Sequence, residues 1–195
     1  KTYFLYRHLK NFIGTQTKVK TKTTYSFNYE KVVSGPNKLA IWDLPGKDNM
    51  RQFWPFFYRN IHFTGIIYII NYQQKETFFD SVKILHDLLN DQVNKQMHVL
   101  ILMNISESKN HSEYYEQEEG EGEERASEIA QEGIDDVEDV NYKKLLKELK
   151  SEVYFDLLPQ HNKDLEIFDI YDDQSTSKHV TKLRSIIINY IKKFD

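Results

Sequence analysis

An α/β fold, with a mostly parallel sheet and helices on both faces, is predicted from three observations. Strand-like and helix-like segments alternate along the chain, two of the strands are apolar over nearly their whole length, and the segment between those two has helical periodicity. The apolar strands are Gly65 to Tyr72 and Met97 to Met103, and the amphipathic helix between them is Glu76 to Asn90. A strand that is apolar on both faces must be covered on both, and crossover helices do this.

The remaining elements follow in order. Tyr3 to Phe12 carries Phe4, Leu5, His8, Leu9 and Phe12 at helical spacing and reads as a helix. Gly14 to Thr24, rich in Thr and Lys and without apolar period, reads as a loop. Ser26 to Val33 and Lys38 to Trp42 read as strands, and Ser34-Gly35-Pro36-Asn37 between them is a turn signal, so a hairpin is expected. Met50 to Ile61 is helix-like and strongly aromatic. After an acidic stretch come a helix at Tyr142 to Val153, a strand at Leu165 to Tyr171 and a closing helix from Ser175 to Phe194.

A chain of 195 residues with 39% hydrophobic content is long enough for one domain with a sizeable core. It has no cysteine, which excludes disulfides, thiolate metal sites and cysteine nucleophiles. Its longest apolar run, Gly65 to Ile70, is far short of the roughly 20 residues that cross a bilayer, so these residues are expected to be soluble by themselves. Lys1-Thr2 reads as the middle of a longer protein. Charge is segregated: Glu113 to Asp139 holds 13 acidic residues against the single Arg125 and leaves a moderately basic remainder. Residues 108–140 are therefore expected to form a disordered acidic insert in a single domain, because like charges with few apolar side chains cannot offset ordering entropy.

The chemistry concentrates at strand ends, where α/β folds bind ligands. Ile41-Trp42-Asp43-Leu44-Pro45-Gly46 places an aspartate and, three residues later, a glycine at the end of a strand. This is how a P-loop GTPase senses the γ-phosphate, with the carboxylate directed to Mg²⁺ and the Gly amide free to approach phosphate. Taken alone, the same pattern fits a plain turn. Lys1-Thr2 before a helix fits the end of a Gly-x-x-x-x-Gly-Lys-Ser/Thr phosphate loop, in which the Lys reaches phosphate and the hydroxyl ligates Mg²⁺. On this reading the first strand and most of the loop lie upstream. Asn104-Ile105-Ser106-Glu107 ends the second apolar strand where small GTPases carry Asn-Lys-x-Asp for guanine, with Ile105 in place of the lysine and Glu107 one methylene longer than aspartate.

Lys47 follows Gly46, where a catalytic GTPase usually carries a water-orienting glutamine. An ammonium only donates, so slow hydrolysis at most is expected. Phe53, Trp54, Phe56, Phe57 and Tyr58 cover every face of a helix and cannot all enter one core, so part of this patch is expected to meet a partner. His8, His86, His98 and His161 share no metal-ligand spacing, and no Ser/His/Asp arrangement stands out.

On these residues the chain resembles the Arf-like branch of small GTPases, and within it the β subunit of the signal recognition particle receptor. Trp42-Asp43 and Arg51 are similar to the Arf turn, while Pro45 and Lys47 depart from it. Asp43-Leu44-Pro45-Gly46 and Met50-Arg51 are similar to the receptor subunit, which also lacks the glutamine, and Thr15-Gln16-Thr17 resembles its first switch. The polar insert and Phe155 to Pro159 fall at corresponding places. Rag-type GTPases share Ile-Trp-Asp-x-Pro-Gly, and Ile170-Tyr171-Asp172 resembles their last strand, so that branch stays open.

The resemblance implies a P-loop small-GTPase fold that binds GTP and Mg²⁺. It implies nucleotide contacts from Lys1, Thr2, Asp43, Gly46, Asn104 and Glu107, and metal ligands Thr2, Asp43 and Thr24, with Thr17 the alternative to Thr24. A protein partner, the receptor's α subunit on the closer resemblance, would bind at Tyr25, Phe27, Trp42, Met50, Arg51, Phe53 and Trp54. It further implies the cytosolic face of the endoplasmic reticulum membrane, reached through an upstream anchor, and no direct nucleic-acid partner. Two other readings are an active Arf- or Rag-type switch and a nucleotide-free scaffold.

Overall fold

The computed structural model describes residues 1–6, 26–34, 37–106, 135–160 and 162–169. Helix α1 (Thr2–Phe4) is followed by β1 (Asn28–Ser34) and β2 (Asn37–Asp43), then by α2 (Asp48–Arg51), α3 (Trp54–Asn60) and β3 (Gly65–Asn71). Helix α4 (Lys75–Asn90), β4 (His98–Asn104), α5 (Asp135–Glu152) and β5 (Lys163–Phe168) complete the order, with a short 3₁₀ turn before β4 and another before β5. The predicted hairpin is β1 and β2, antiparallel, with Asn28 opposite Asp43. Strands β3, β4 and β5 form a parallel sheet in that order, with Asn71 opposite Asn104 and Asn104 opposite Phe168.

The period of two along β4 explains the layers. Val99, Ile101 and Met103 join Phe78, Val82, Leu85 and Leu89 of α4 and Leu149 of α5 in the main core. Leu100 and Leu102 point the other way, to Phe4 of α1 and to Phe168. Every residue of β4 is buried, which is why Val99 to Met103 within it reads as continuously apolar. Gly65 is needed where β3 begins, because a Cβ there would lie 2.9 Å from the carbonyl oxygen of His98 on β4.

The hairpin and the parallel sheet share no ladder. Ile41, Asp43 and Leu44 on one side and Ile67 and Ile69 on the other line a groove of about 440 Å³. The edges of β2 and β3 that line it are paired with no other described strand. Tyr154 adopts φ 51°, the left-handed region, and separates α5 from the 3₁₀ turn Phe155–Leu157.

Several elements differ from the sequence expectation, among them β1, which starts two residues later, at Asn28. The helix expected over Met50 to Ile61 is two helices, broken at Gln52-Phe53. Pro55 accounts for this: it lacks a backbone N–H and is accommodated in the first turn of α3, not inside a longer helix. Helix α5 begins at Asp135 and not at Tyr142, so it starts within the stretch expected to be a disordered insert; acidic residues are favoured in a first helical turn. Strand β5 starts at Lys163, two residues earlier than expected. Residues 7–25, 107–134 and 170–195 lie outside the described residues. The remainder of the first helix, the loop to Thr24, most of the acidic insert and the closing helix therefore do too.

Candidate functional site

Asp43 ends β2 and is buried. Its Oδ2 accepts from the Thr2 hydroxyl at 2.6 Å and from Asn28 Nδ2 at 3.0 Å. The second contact follows from the hairpin register, which sets Asn28 directly across from Asp43. The first joins residues 41 positions apart, across the junction of α1 and the hairpin. A hydroxyl and a carboxylate side by side are hard oxygen donors of the kind Mg²⁺ takes, so these residues fit that ion.

The turn after Asp43 is held at three successive carbonyls. Lys1 Nζ donates to Leu44 O at 2.7 Å, Trp54 Nε1 to Pro45 O at 2.9 Å and Arg51 Nε to Gly46 O at 2.8 Å. Burial in the groove lowers the Lys1 ammonium to about 8, with Asp43 opposing the shift and Arg51 adding to it. A Cβ at position 46 would stand 2.5 Å from that ammonium, the tip of a flexible side chain that a larger residue would displace. Lys47 is exposed and caps α2, its carbonyl accepting from the Met50 and Arg51 amides. Arg51 also pairs with Asp48 at 3.0 Å.

Asn104 ends β4 at the same end of the molecule, and Lys1, Asp43, Gly46 and Asn104 all line the one groove. Asn104 Nδ2 faces Asn71 Oδ1 at 3.5 Å, and its Oδ1 accepts from the Ser106 hydroxyl at 2.7 Å. That hydroxyl also contacts Asp169 Oδ1, just past β5. Ile105 packs against the main core. Glu107 lies outside the described residues, as do Thr17, Thr24 and Tyr25.

The aromatic residues divide into two groups. Phe27 meets Trp42 at 5.2 Å and Phe57 at 5.4 Å between ring centroids, Tyr29 adds to Trp42 at 4.8 Å, and Phe56 stacks edge-on against Phe57. Phe27, Tyr29 and Phe56 are exposed, so this is a continuous aromatic surface spanning hairpin and α3. Phe53 is exposed and Met50 half-buried. Trp54 turns away into the groove, edge-on to Tyr68 at 6.4 Å. Among the predicted histidines, His86 Nε2 bonds Val153 O at 2.8 Å, a tie between α4 and the end of α5, and His98 is buried in β4. His8 and His161 lie outside the described residues. No group of three or more His, Asp or Glu side chains that could hold a metal occurs among the described residues.

The sequence reading passed over Asn28, Asn71, Ser106 and Asp169 around these groups, and Tyr29 on the aromatic surface. Asn28 was accessible through the hairpin register. Asp169 was not, since it meets Ser106 only through the parallel pairing of β4 and β5.

No helix among the described residues is long and apolar enough to cross a membrane. An ADP-ribosylation factor-like protein 13B of Caenorhabditis elegans is 35% identical over 66 residues, which are 34% of this chain and 17% of that protein. The match thus spans about a sixth of that relative's length. The profile of the ADP-ribosylation factor family matches residues 1–152. With the parallel sheet, the covering helices and the Asp43 turn in place, the match establishes that the chain belongs to the ADP-ribosylation factor family and has a P-loop small-GTPase fold.

Proposed function

We propose that this domain binds GTP with Mg²⁺, turns it over slowly, and uses its switch surface to grip a second protein. The observation that carries this is the Thr2 hydroxyl on the Asp43 carboxylate, with the Lys1 ammonium and Gly46 immediately beside them. Thr2 and Asp43 would hold the metal, joined by Thr24. Lys1 and the Gly46 amide would meet the phosphates, and Asn104 the base. Bound Mg²⁺ would neutralise charge between the β- and γ-phosphates. The chain's own part is to orient: Asp43 sets the Thr2 hydroxyl, and Lys1, Trp54 and Arg51 fix the turn that presents the Gly46 amide. We read the groove between β2 and β3 as the seat of the phosphate-loop strand, a reading supported by the edges that line it, which pair with no other described strand.

The partner surface on this reading is Phe27, Trp42, Met50, Arg51 and Phe53, extended by Tyr29, Phe56 and Phe57. Exposed aromatics in mutual contact are suited to anchoring an interface. Asp43-Leu44-Pro45-Gly46 and Met50-Arg51 favour a role like that of the signal recognition particle receptor β subunit. The partner would then be the α subunit, at the endoplasmic reticulum membrane, through an anchor outside these residues. The family match and the 13B-like relative favour a second reading, an Arf-type switch that hydrolyses with help in trans. Mass spectrometry of nucleotide released from natively purified protein tests both. Stoichiometric GTP supports slow turnover, mainly GDP supports the active switch, and no nucleotide overturns both in favour of a scaffold.

A further inference from the structure

We propose that Tyr142 of α5 closes the outer edge of β5 and so keeps a second copy of this chain from adding a strand to the parallel sheet. Strand β5 ends that sheet, and its far side pairs with no other described strand. An open edge presents a row of backbone donors and acceptors to any extended segment, and unguarded edges associate.

The pairing of β4 with β5 fixes which groups that edge presents. The Val99 N–H donates to Asn162 O at 3.0 Å and the Ile105 N–H to Phe168 O at 3.0 Å, at the two ends of a parallel ladder. In such a ladder every second residue of a strand turns both its N–H and its C=O to the same neighbour. Residues 162, 164, 166 and 168 therefore face β4, and Lys163, Leu165 and Ile167 turn their backbone groups outward. Side chains alternate as well. Leu165 and Ile167 enter the main core, so Glu166 lies on the opposite face, beside its register partner Leu102. Tyr142 packs against the main core, yet its hydroxyl donates to Glu166 Oε2 at 2.8 Å. Two side chains from opposite faces of a sheet meet in this way round its free edge. The same phenol oxygen accepts from the Ile167 backbone N–H, one of the three outward donors. It stands where the carbonyl of an added strand would have to come. At the other end of the edge Lys163 carries an ammonium, tied to Leu158 O at 2.7 Å, and a charged residue there also discourages pairing.

The experiment compares the full-length wild type with Tyr142→Phe, by hydrogen exchange resolved to single amides and by sedimentation velocity over a concentration series. Phenylalanine keeps the ring in the core and removes only the hydroxyl. At the lowest concentration the Ile167 amide should exchange roughly tenfold faster in the variant, the effect of losing one hydrogen bond. The Glu166 and Phe168 amides, which face β4, should exchange as in the wild type. As concentration rises, the variant should sediment faster than the wild type, and its Ile167 amide should regain protection as a second strand pairs with it. An Ile167 amide that exchanges at the same rate in both proteins, or a speeding shared equally by all three amides, would overturn the proposal. Equal sedimentation of the two proteins at every concentration would overturn it too.

Discussion

The Thr2 hydroxyl donates to Asp43 Oδ2 at 2.6 Å, linking the first turn of α1 to the end of β2 across 41 residues. Neither motif is strong alone, and on the proposed reading the juxtaposition makes them one metal site. The Asn28 amide donates to the same oxygen at 3.0 Å and so helps to hold the carboxylate. Asp43→Asn keeps the shape but removes the charge that would hold Mg²⁺. Calorimetry with and without Mg²⁺ should show wild-type GTP affinity falling when the metal is withheld, and the variant losing about tenfold or more in the presence of metal. Equal affinities for the two proteins would remove Asp43 from the metal site.

Lys1 is expected to make the proposed site pH-dependent. Burial, as the largest cause, lowers its ammonium from 10.5 to about 8. Between about 8 and 10.5 the unfolded chain therefore binds more protons than the folded one, and this group's contribution makes stability rise with pH across that window. Below about 8 its cost is felt in full. A phosphate beside the ammonium favours the charged form, so nucleotide affinity should run the other way and fall above pH 8. Melting curves and binding titrations from pH 7 to 10, for wild type and Lys1→Met, check both. Profiles that superimpose for the two proteins would show that Lys1 does not titrate in this range.

Much of the fold was legible because strong patterns coincided with real constraints. Val99 to Met103 is apolar on both sides because Phe4 and Phe168 pack against one face of β4 and α4 with α5 against the other. Ser34-Gly35-Pro36-Asn37 marked the hairpin, whose register brings Asn28 to Asp43. Pro55 was equally visible, yet aromatic periodicity hid the break it imposes between α2 and α3. Other relationships have no local signature. Asp91 accepts from Arg59 Nη2 at 3.0 Å, tying α3 to the turn after α4. Only packing of distant segments creates that contact, and the pairing of Ser106 with Asp169 likewise.

The left-handed Tyr154 predicts a stabilising substitution. A side chain at φ 51° carries roughly 1–2 kcal/mol of strain, and this tyrosine is 60% exposed, so little burial offsets it. Glycine adopts this conformation without the clash and is the usual residue just past a helix. Tyr154→Gly gives up the edge-on contact with His86 at 6.4 Å and gains freedom in the unfolded chain. It should still raise stability, by about 0.5–1 kcal/mol, in urea unfolding monitored by circular dichroism. A loss of 1 kcal/mol or more would mean that the ring contact outweighs the backbone strain.

Lys47 decides between the two modes of the proposed function. It sits one residue past Gly46, exposed, at the start of α2, while Lys1, Trp54 and Arg51 hold the three preceding carbonyls. The turn is therefore tied at three carbonyls, and its next side chain is exposed beside the proposed phosphate site. An ammonium there has three donors and no acceptor, whereas a glutamine amide donates to the γ-phosphate and accepts from the attacking water. Lys47→Gln should raise single-turnover GTP hydrolysis by roughly tenfold or more, since water positioning is what this position contributes in active enzymes. Pro45 limits the gain, because its fixed φ restricts how the turn can place the new amide. Pro45→Gly combined with Lys47→Gln should therefore hydrolyse faster than Lys47→Gln alone. A wild type that matches Lys47→Gln would show that another residue positions the water, and the slow-turnover reading would give way to the active switch.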